Sequence, residues 1–447
     1  MIYLLTALLL ILLVTMIVYY KKDILEPSII FTFSFLLLSI MATLNAKRFE
    51  LGLHNNTFYV VLGGVLTFVI TSLLVKIIYN KVKKVGPIKD DKLYKIIKPN
   101  KYILIAFLVF SVVFCFVYVY YIMKAVDVKF TGISSAMTAI SKYDSISKFT
   151  EDFSVKLPFL VFNIRVLFIG VGYWLLYVII SNFILFKKKN ILEMICVTPC
   201  IILSLLEGSR TPTLYMIITA IIVYLIIASK KKGYGKILSP KLIIIILAIG
   251  ALFICLFKPT AKLLGRKIDD NFSEYISIYC GAQLKNLDIY LNNNHVNNNI
   301  VPGAQTFSSI IASYGNKIGF KGYKEYRLDL PFQSVGEVSL GNVYTTFYPY
   351  IYDFGYIGLV ILVMIMAIIS QVIYEAIKRI SLGKYPKSII ILYGYIGTSL
   401  LLSFFSNKFY ENVFSLSILK NVVVWLLCDL IFIKIFDWKR EKANEKK

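Results

Sequence analysis

Residues Gly341 to Ala376 read GNVYTTFYPYIYDFGYIGLVILVMIMAIISQVIYEA, and this stretch decides the fold class of the chain. Its second part, Tyr356 to Ala376, is apolar over the length that an α-helix needs to cross a bilayer. Its first part, Gly341 to Gly358, contains five tyrosines, an asparagine and an aspartate. Dense polar and aromatic chemistry at the start of a span indicates a functional site at the membrane surface.

Apolar runs of similar length recur from end to end of the 447-residue chain. Hydrophobic residues make up 58% of the sequence and the mean hydropathy is +0.73, which excludes a soluble globular class. The pattern predicts an all-α polytopic membrane protein with about 11 transmembrane helices and one large extracytoplasmic loop. The predicted spans are Ile2 to Tyr20, Ile29 to Leu44, Phe58 to Tyr79, Tyr102 to Met123, Phe159 to Phe186, Ile191 to Leu206, Thr213 to Ala228, Leu242 to Phe257, Tyr356 to Ala376, Ser388 to Phe405 and Val413 to Phe436.

These spans divide the chain into three parts. Residues 1–257 carry the first eight helices, residues 258–350 form the large loop, and residues 351–447 contain the last three helices and a basic cytoplasmic tail. No internal repeat typical of a duplicated transporter is visible, so one membrane domain is the economical interpretation. Within the loop, Phe272 to Leu291 is predicted to be a helix near the interface, and Pro302 to Leu340 to be irregular with short helices.

The formal net charge of +24 follows membrane topology rather than a nucleic-acid surface. Lysines concentrate in alternate connections between spans, for example residues 81–101, and in the tail after Asp437. The other connections mix both signs. By the positive-inside rule, the N-terminus and the large loop are outside and the C-terminus is inside. The basic inner surface also suits anionic membrane lipids, and no nucleic-acid partner is expected.

Cysteine and carboxylate spacing indicates neither a disulfide framework nor a metal site. Five of the six cysteines fall inside predicted spans, and only Cys280 lies in a loop. No Asp-x-Asp motif occurs, and the Asp269-Asp270 pair is more typical of a helix cap than of a metal site. The sequence therefore predicts no metal and no cofactor.

The turn from Glu207 to Pro212, EGSRTP, places two opposite charges between neighbouring spans. A charge at a span edge needs water, a cavity or a partner. Arg210 offers a planar fork of donors that matches phosphate oxygens, so it is a candidate catalytic residue. The alternative is an ion pair between Glu207 and Arg210 that only caps helices.

A second basic group lies in the large loop. Its members are Lys258, Lys262, Arg266, Lys267, Lys324 and Arg327. The first three are spaced i, i+4, i+8 and share a face if the eighth span continues outward as a helix. Such a face can hold a lipid-linked diphosphate, which makes Arg266 and Arg327 candidate substrate-binding residues. Non-specific contact with lipid headgroups is the alternative.

The third group is the stretch from Asn342 to Asp353. Pro349 suits a first helical turn, and Asp353 follows where a helix N-terminus favours negative charge. Gly355 and Gly358 permit close helix contact. Tyrosine faces stack on sugar rings while amides and carboxylates bind hydroxyls. The candidate sugar-binding residues are Asn342, Tyr344 and Tyr348. The alternative is an interfacial aromatic belt with a helix-capping aspartate.

The order of these features resembles the oligosaccharide repeat unit polymerases of bacterial surface polysaccharide assembly, the Wzy-type O-antigen and capsule polymerases. The matching pieces are the Glu207 to Pro212 turn, the stretch YCGAQLKNLDIY at Tyr279 to Tyr290, a Gly-rich outer loop, and the Gly341 to Gly358 motif entering a span. Polymerases of this kind usually have about a dozen spans with both termini inside, whereas this sequence predicts about 11 with the N-terminus outside.

The resemblance implies a metal-independent glycosyltransferase at the outer face of the bacterial cytoplasmic membrane. It would move the growing glycan from undecaprenyl diphosphate to the non-reducing end of a newly flipped lipid-linked repeat unit. Flippase and chain-length regulator proteins are the protein partners that the resemblance implies. In the matched stretch it implies substrate contacts for Tyr279 and Asn286.

The reaction requires cations against the lipid diphosphate leaving group and a base for the acceptor hydroxyl. The candidate cations are Arg210, Arg266, Arg327 and, near the outer end of its span, Arg165. Among the outer carboxylates, Asp353 and Glu337 are the candidate bases. His295 stands in an Asn-rich loop and is interpreted as a solvated residue.

A lipid-linked oligosaccharide flippase or polysaccharide transporter is the leading alternative, and it would bury charges near the bilayer midplane. Here the charges gather at the outer edge and in one loop, which favours an enzyme. An O-antigen ligase, which attaches finished glycan to lipid A core, is a second alternative. A chain-length or scaffold partner is disfavoured because such proteins have few spans and a larger exposed domain.

Overall fold

A computed structural model of the chain describes residues 1–82, 94–149, 157–237, 239–240, 258–260, 271–293, 301–315, 328–383 and 385–435, together with residues 244, 250, 251 and 255. Helices dominate this part of the chain, and a two-stranded hairpin accompanies them. The described part is therefore essentially all-α, as the hydrophobic pattern predicts.

The first three helices are α1 (Ile2–Tyr19), α2 (Pro27–Leu44) and α3 (Asn55–Val82). Pro27 occupies the first helical position of α2, where its missing N–H leaves no hydrogen bond unmade. α1 packs on α2, and α2 packs on α3. The short connections at residues 20–26 and 45–54 make successive helices antiparallel neighbours.

Five further helices follow: α4 (Lys101–Ala125), α5 (Ile133–Phe149), α6 (Phe159–Phe186), α7 (Ile191–Leu205) and α8 (Thr211–Lys232). Asn100 caps α4 by accepting hydrogen bonds from the N–H groups of Tyr102 and Ile103. α6 packs against both α7 and α8, so it is the central helix of this half. α5 is rich in serine and packs against α4.

The large loop contains α9 (Phe272–Asn292), α10 (Ser308–Tyr314) and the antiparallel strands β1 (Gln333–Val335) and β2 (Val338–Gly341). The helix predicted at Phe272 to Leu291 is confirmed, and a reciprocal capping box between Asn271 and Glu274 fixes its first turn. The hairpin turns at Gly336, whose φ of +54° suits glycine. α9 packs on α2 and α3, so this helix lies over one end of the bundle.

The C-terminal part comprises α11 (Phe347–Arg379), α12 (Ser388–Leu401) and α13 (Leu416–Cys428), with π-helical segments at Phe409–Val413 and Asp429–Lys434. α11 begins before the predicted edge at Tyr356 and is kinked at Gly355, where φ is 65° and ψ is −166°. Pro349 lies in its first turn, as predicted. A Cβ on Gly355 would meet no atom within 4 Å, so this glycine is required for its dihedral angles rather than for helix contact.

Among the described residues, eight helices are long and apolar enough to cross a membrane. They are α1, α2, α3, α4, α6, α8, α11 and the helix that α13 forms with the segment after it. The shorter apolar helices α7 and α12 coincide with two more predicted spans. The predicted span Leu242 to Phe257 falls largely outside the described residues. The chain is an all-α polytopic membrane protein.

Three apolar clusters hold the described bundle together: one around α1, α2, α3 and α11, a second around α6, α7, α8, α12 and α13, and a third around α4, α5 and α6. In the first cluster, Phe347 stacks on Phe35 with ring centroids 4.7 Å apart. Phe347 also faces Gly64, where a Cβ would lie 2.6 Å from its Cζ. The close approach of α3 and α11 therefore depends on Gly64, whereas the space at Gly358 is taken by Phe354 of the same helix.

The two ends of the bundle differ in their connections. The loop end carries residues 45–54, 126–132, 206–210, 301–315 and 328–346, and the lysine end carries residues 20–26, 94–100, 187–190, 380–383 and 385–387. The described segments of the large loop and α5 thus lie at the loop end.

A buried ionic group joins three helices at the lysine end. Lys378 of α11 contacts Glu26 Oε1 and lies 3.3 Å from Asp23 Oδ2, while Lys76 of α3 lies 2.6 Å from Glu26 Oε1. Burial alone would raise the pKa of Glu26, but Lys378 and Lys76 outweigh it and lower that pKa. The α1–α2 connection is therefore fixed to α3 and α11 by charge.

Candidate functional site

Arg210 lies at the start of α8, at the loop end, and is 8% exposed. Its Nη2 donates hydrogen bonds to the Tyr275 hydroxyl at 2.9 Å and to the Tyr279 hydroxyl at 3.4 Å. The guanidinium carbon lies 5.8 Å and 5.5 Å from the centroids of the same two rings. Two predicted site residues, Arg210 and Tyr279, are thus brought together, and Tyr275 joins them.

The two tyrosines face Arg210 because they are four residues apart on α9 and share one helix face. Their ring centroids are 4.9 Å apart, and Tyr279 stacks parallel to Phe405 at 6.1 Å. Burial raises the pKa of Tyr275 to about 12, and its contact with Tyr279 adds to the effect. The Tyr275 phenol therefore remains neutral at physiological pH.

Glu207, in the same turn as Arg210, forms its ion pair with Arg165 of α6 at 2.5 Å. Arg165 is buried and also donates to the Leu203 carbonyl at 3.5 Å. Gly208 has a φ of 82° and packs so closely on Asp144 that a Cβ would lie 2.5 Å from the Asp144 Cβ. Arg165 thus anchors the turn, and Arg210 is directed to α9.

Asn286, a predicted substrate contact, is fully buried on α9. Its Nδ2 donates to the carbonyl of Val343 at 2.9 Å and to those of Leu340 and Gly341 at 3.4 Å. The side chain therefore holds the chain that leaves β2 rather than presenting its donors to a ligand.

Tyr344 and Tyr348 are 2% and 0% exposed, and their rings stack on each other with centroids 4.3 Å apart. Tyr290 packs edge-on against Tyr348 at 4.6 Å, and the Tyr344 hydroxyl donates to the Pro331 carbonyl at 3.0 Å. The two tyrosines predicted to stack on sugar rings are therefore buried and stack on each other in this structure. Asn342, next to them, is only partly buried.

The two candidate carboxylate bases have different surroundings. Asp353 lies in the second turn of α11 and accepts hydrogen bonds from the N–H groups of Thr306 at 2.6 Å and Gln305 at 3.3 Å. Asp353 therefore caps the segment before α10, whereas the alternative interpretation of the sequence had it capping its own helix. Glu337 is exposed in the turn between β1 and β2, and no described contact joins it to Arg210 or Asp353.

A histidine and an aspartate from distant parts of the sequence also meet at the loop end. His54 precedes α3, and its Nδ1 lies 2.9 Å from Oδ2 of Asp288 on α9. The sequence separation of 234 residues hides this contact from any local motif.

Metal ligands do not cluster in the part of the chain that the structure describes: no group of three His, Cys, Asp or Glu residues there could hold an ion. The predicted substrate-binding residues Arg266 and Arg327 lie outside the described residues, as does His295.

The apolar helices and the covered loop end define a polytopic α-helical membrane protein. Compared with protein-family models, with curated proteins and with solved structures, the chain matches none.

Proposed function

We propose that the chain is a Wzy-type polysaccharide polymerase, a glycosyltransferase of the bacterial cytoplasmic membrane. It transfers the growing glycan from undecaprenyl diphosphate to the non-reducing end of a lipid-linked repeat unit at the outer face. The observation that carries the proposal is the buried Arg210, held between Tyr275 and Tyr279 at the loop end.

A guanidinium in this position suits a lipid diphosphate. The hydroxyls of Tyr275 and Tyr279 orient the planar fork of Arg210. Diphosphate oxygens match the fork geometry, and a lipid carrier would bring them to this depth.

The distribution of charge along the helices supports an enzyme over a flippase. In the described spans, charged residues lie near one end or the other: Arg165 and Asp353 near the loop end, and Lys76, Lys378 and Asp429 near the lysine end. A transporter that couples ions at the bilayer midplane would place charges between these levels.

The orientation of the loop end is part of the proposal. Lysine asymmetry places it outside and the lysine end inside. In a variant lacking the six native cysteines, Ser334→Cys at the hairpin should react with an impermeant thiol reagent in intact cells. Ser381→Cys, at the lysine end, should react only after lysis. Labelling in the reverse order would overturn the orientation and the site with it.

The activity test uses purified full-length protein in proteoliposomes with a synthetic undecaprenyl-diphosphate-linked repeat unit. A ladder of polymer products without lipid A core supports the polymerase, and Arg210→Ala should abolish it. Single transfer to added lipid A core would indicate a ligase instead. Movement of the substrate across the bilayer with no new glycosidic bond would indicate a flippase.

A further inference from the structure

Asp288 of α9 is 1% exposed, and its carboxylate collects donors from the start of α3. Oδ1 accepts hydrogen bonds from the His54 N–H at 3.1 Å and from the Thr57 hydroxyl at 2.6 Å. Oδ2 lies 2.9 Å from Nδ1 of the His54 imidazole. A cap of α3 needs only the bonds to Oδ1, so the contact with the imidazole is an additional feature.

This contact favours one state of the imidazole. A carboxylate only accepts hydrogen bonds, so the contact favours the tautomer of the imidazole with the proton on Nδ1 and the lone pair on Nε2. The side chain of His54 is 59% exposed, and among the described residues Nε2 has no hydrogen-bond partner. A buried carboxylate that orients an accessible imidazole is the arrangement that activates histidine bases.

A groove begins close to His54 in sequence, at Asn56 of α3. Asn56 donates to the Leu291 carbonyl at 3.2 Å and to the Tyr356 hydroxyl at 3.0 Å. From Asn56 and Tyr356 the groove, of about 340 Å³, runs between α3 and α11. The exposed side chain of His54 leaves Nε2 open to a hydroxyl-bearing substrate at the loop end.

We propose that Nε2 of His54 takes the proton from the acceptor hydroxyl of the lipid-linked repeat unit, with Asp288 as the positioning residue. This inference rests on the proposed function and names the base of that reaction. It takes the place of Asp353, whose carboxylate is occupied by two backbone N–H groups, and of Glu337 in the hairpin turn.

In this step the acceptor oxygen bonds to the anomeric carbon of the donor sugar while the bond from that carbon to the lipid diphosphate breaks. The diphosphate leaves with the bonding electron pair, and the hydroxyl proton passes to Nε2 of His54. Asp288 stabilises the imidazolium, which then returns its proton to water.

The spacing along α9 assigns Arg210 and His54 to different ends of one substrate. Arg210 contacts Tyr279, and His54 contacts Asp288. These two residues of α9 are about 14 Å apart along the helix axis and face opposite sides of the helix. An acceptor repeat unit carries its diphosphate at one end and its acceptor hydroxyl at the other. In this arrangement Arg210 holds the lipid diphosphate of the acceptor, not the leaving diphosphate for which the sequence suggested it, while His54 receives the hydroxyl at the non-reducing end of the acceptor.

The test measures the polymerisation rate of full-length variants in proteoliposomes with the synthetic lipid-linked repeat unit. His54→Gln should lower the rate about a hundredfold or more at unchanged abundance, because it removes a general base but keeps the backbone bond to Asp288. His295→Gln is the matched control, since it removes the other of the two histidines and should keep the wild-type rate. A wild-type rate for His54→Gln would overturn the inference alone, whereas no polymer from the wild-type protein would overturn the proposed function.

A purely structural role for the pair gives different results. Asp288→Asn should slow the reaction only when His54 is present, so the double variant should be no slower than His54→Gln. Additive losses would contradict the positioning role. If His54→Gln does not accumulate, the rate of His54→Ala is measured with and without added imidazole. Restored polymer formation supports His54 as the general base, and no restoration overturns that role.

Discussion

Replacing Arg210 by lysine separates the geometry of the guanidinium from its charge. Lysine retains the positive charge, but a single ammonium on a flexible stem cannot reproduce the planar fork. In the structure, Nη2 donates to Tyr275 at 2.9 Å and to Tyr279 at 3.4 Å. The substitution removes this orientation and leaves the net charge of the site unchanged.

The size of the expected effect follows from these contacts. A hydrogen bond from a charged group contributes about 1.5 to 3 kcal/mol, and the shorter bond to Tyr275 is the stronger of the two. Arg210 is 8% exposed, so water does not readily replace that bond. If the bond orients the fork on the diphosphate, its loss lowers the polymerisation rate roughly 10- to 150-fold.

The assay is the initial rate of polymer formation by purified Arg210→Lys, with thermal stability measured beside it. Arg48→Lys is the matched control: Arg48 also contacts α9, through Ser277 at 3.2 Å and Glu274 at 3.7 Å, but on a partly exposed surface. Such a surface pair contributes about 0 to 1 kcal/mol, so the control should stay within a few-fold of wild type. Equal rates for Arg210→Lys and wild type would refute the role of the fork.

Three substitutions test the frame of the site. Lys378→Met should lower the unfolding free energy by about 3 to 5 kcal/mol, because it leaves the buried carboxylates of Asp23 and Glu26 without this cation. Adding Glu26→Gln should recover part of the loss. A wild-type melting temperature for Lys378→Met alone would show that these ion pairs do not stabilise the fold. Gly64→Leu should lower the unfolding free energy by about 1 to 3 kcal/mol, because the larger side chain overpacks α3 against α11. Gly63→Leu is the control, since a Cβ at Gly63 meets no atom within 4 Å. Equal melting temperatures for the two variants would show that the helices do not pack this closely. Asp353→Asn should reduce stability by about 0.5 to 2 kcal/mol but keep the polymerisation rate within a few-fold; a stable, inactive protein would restore Asp353 as the base.

The hydrophobic pattern alone predicts most of the helices, because a membrane span must form its backbone hydrogen bonds within itself and present apolar side chains to the lipid. Phe159 to Phe186 is predicted with the bounds that α6 has, since Pro158 and Lys187 bracket the apolar run. α11 is different: its first turns contain tyrosines that look interfacial in sequence, yet Tyr348 stacks on Tyr344 and is buried. That burial depends on chain segments distant in sequence.

The candidate site could be predicted only where a local motif carries it. The Glu207 to Pro212 turn singles out Arg210, but the partner of Glu207 proves to be Arg165, on another helix. The contact between His54 and Asp288 joins a residue just before α3 to one on α9, 234 positions away, and no sequence motif contains both. Such pairs follow from helix packing, which residue spacing does not specify.

Counting released lipid diphosphate against new glycosidic bonds tests the proposed polymerase reaction itself. Wild-type protein in proteoliposomes is supplied with a repeat unit carrying one label on the glycan and another on the undecaprenyl diphosphate. The polymerase account predicts chains of increasing length with one free undecaprenyl diphosphate released for each bond formed. Chain growth without that release, or release without chain growth, would contradict it.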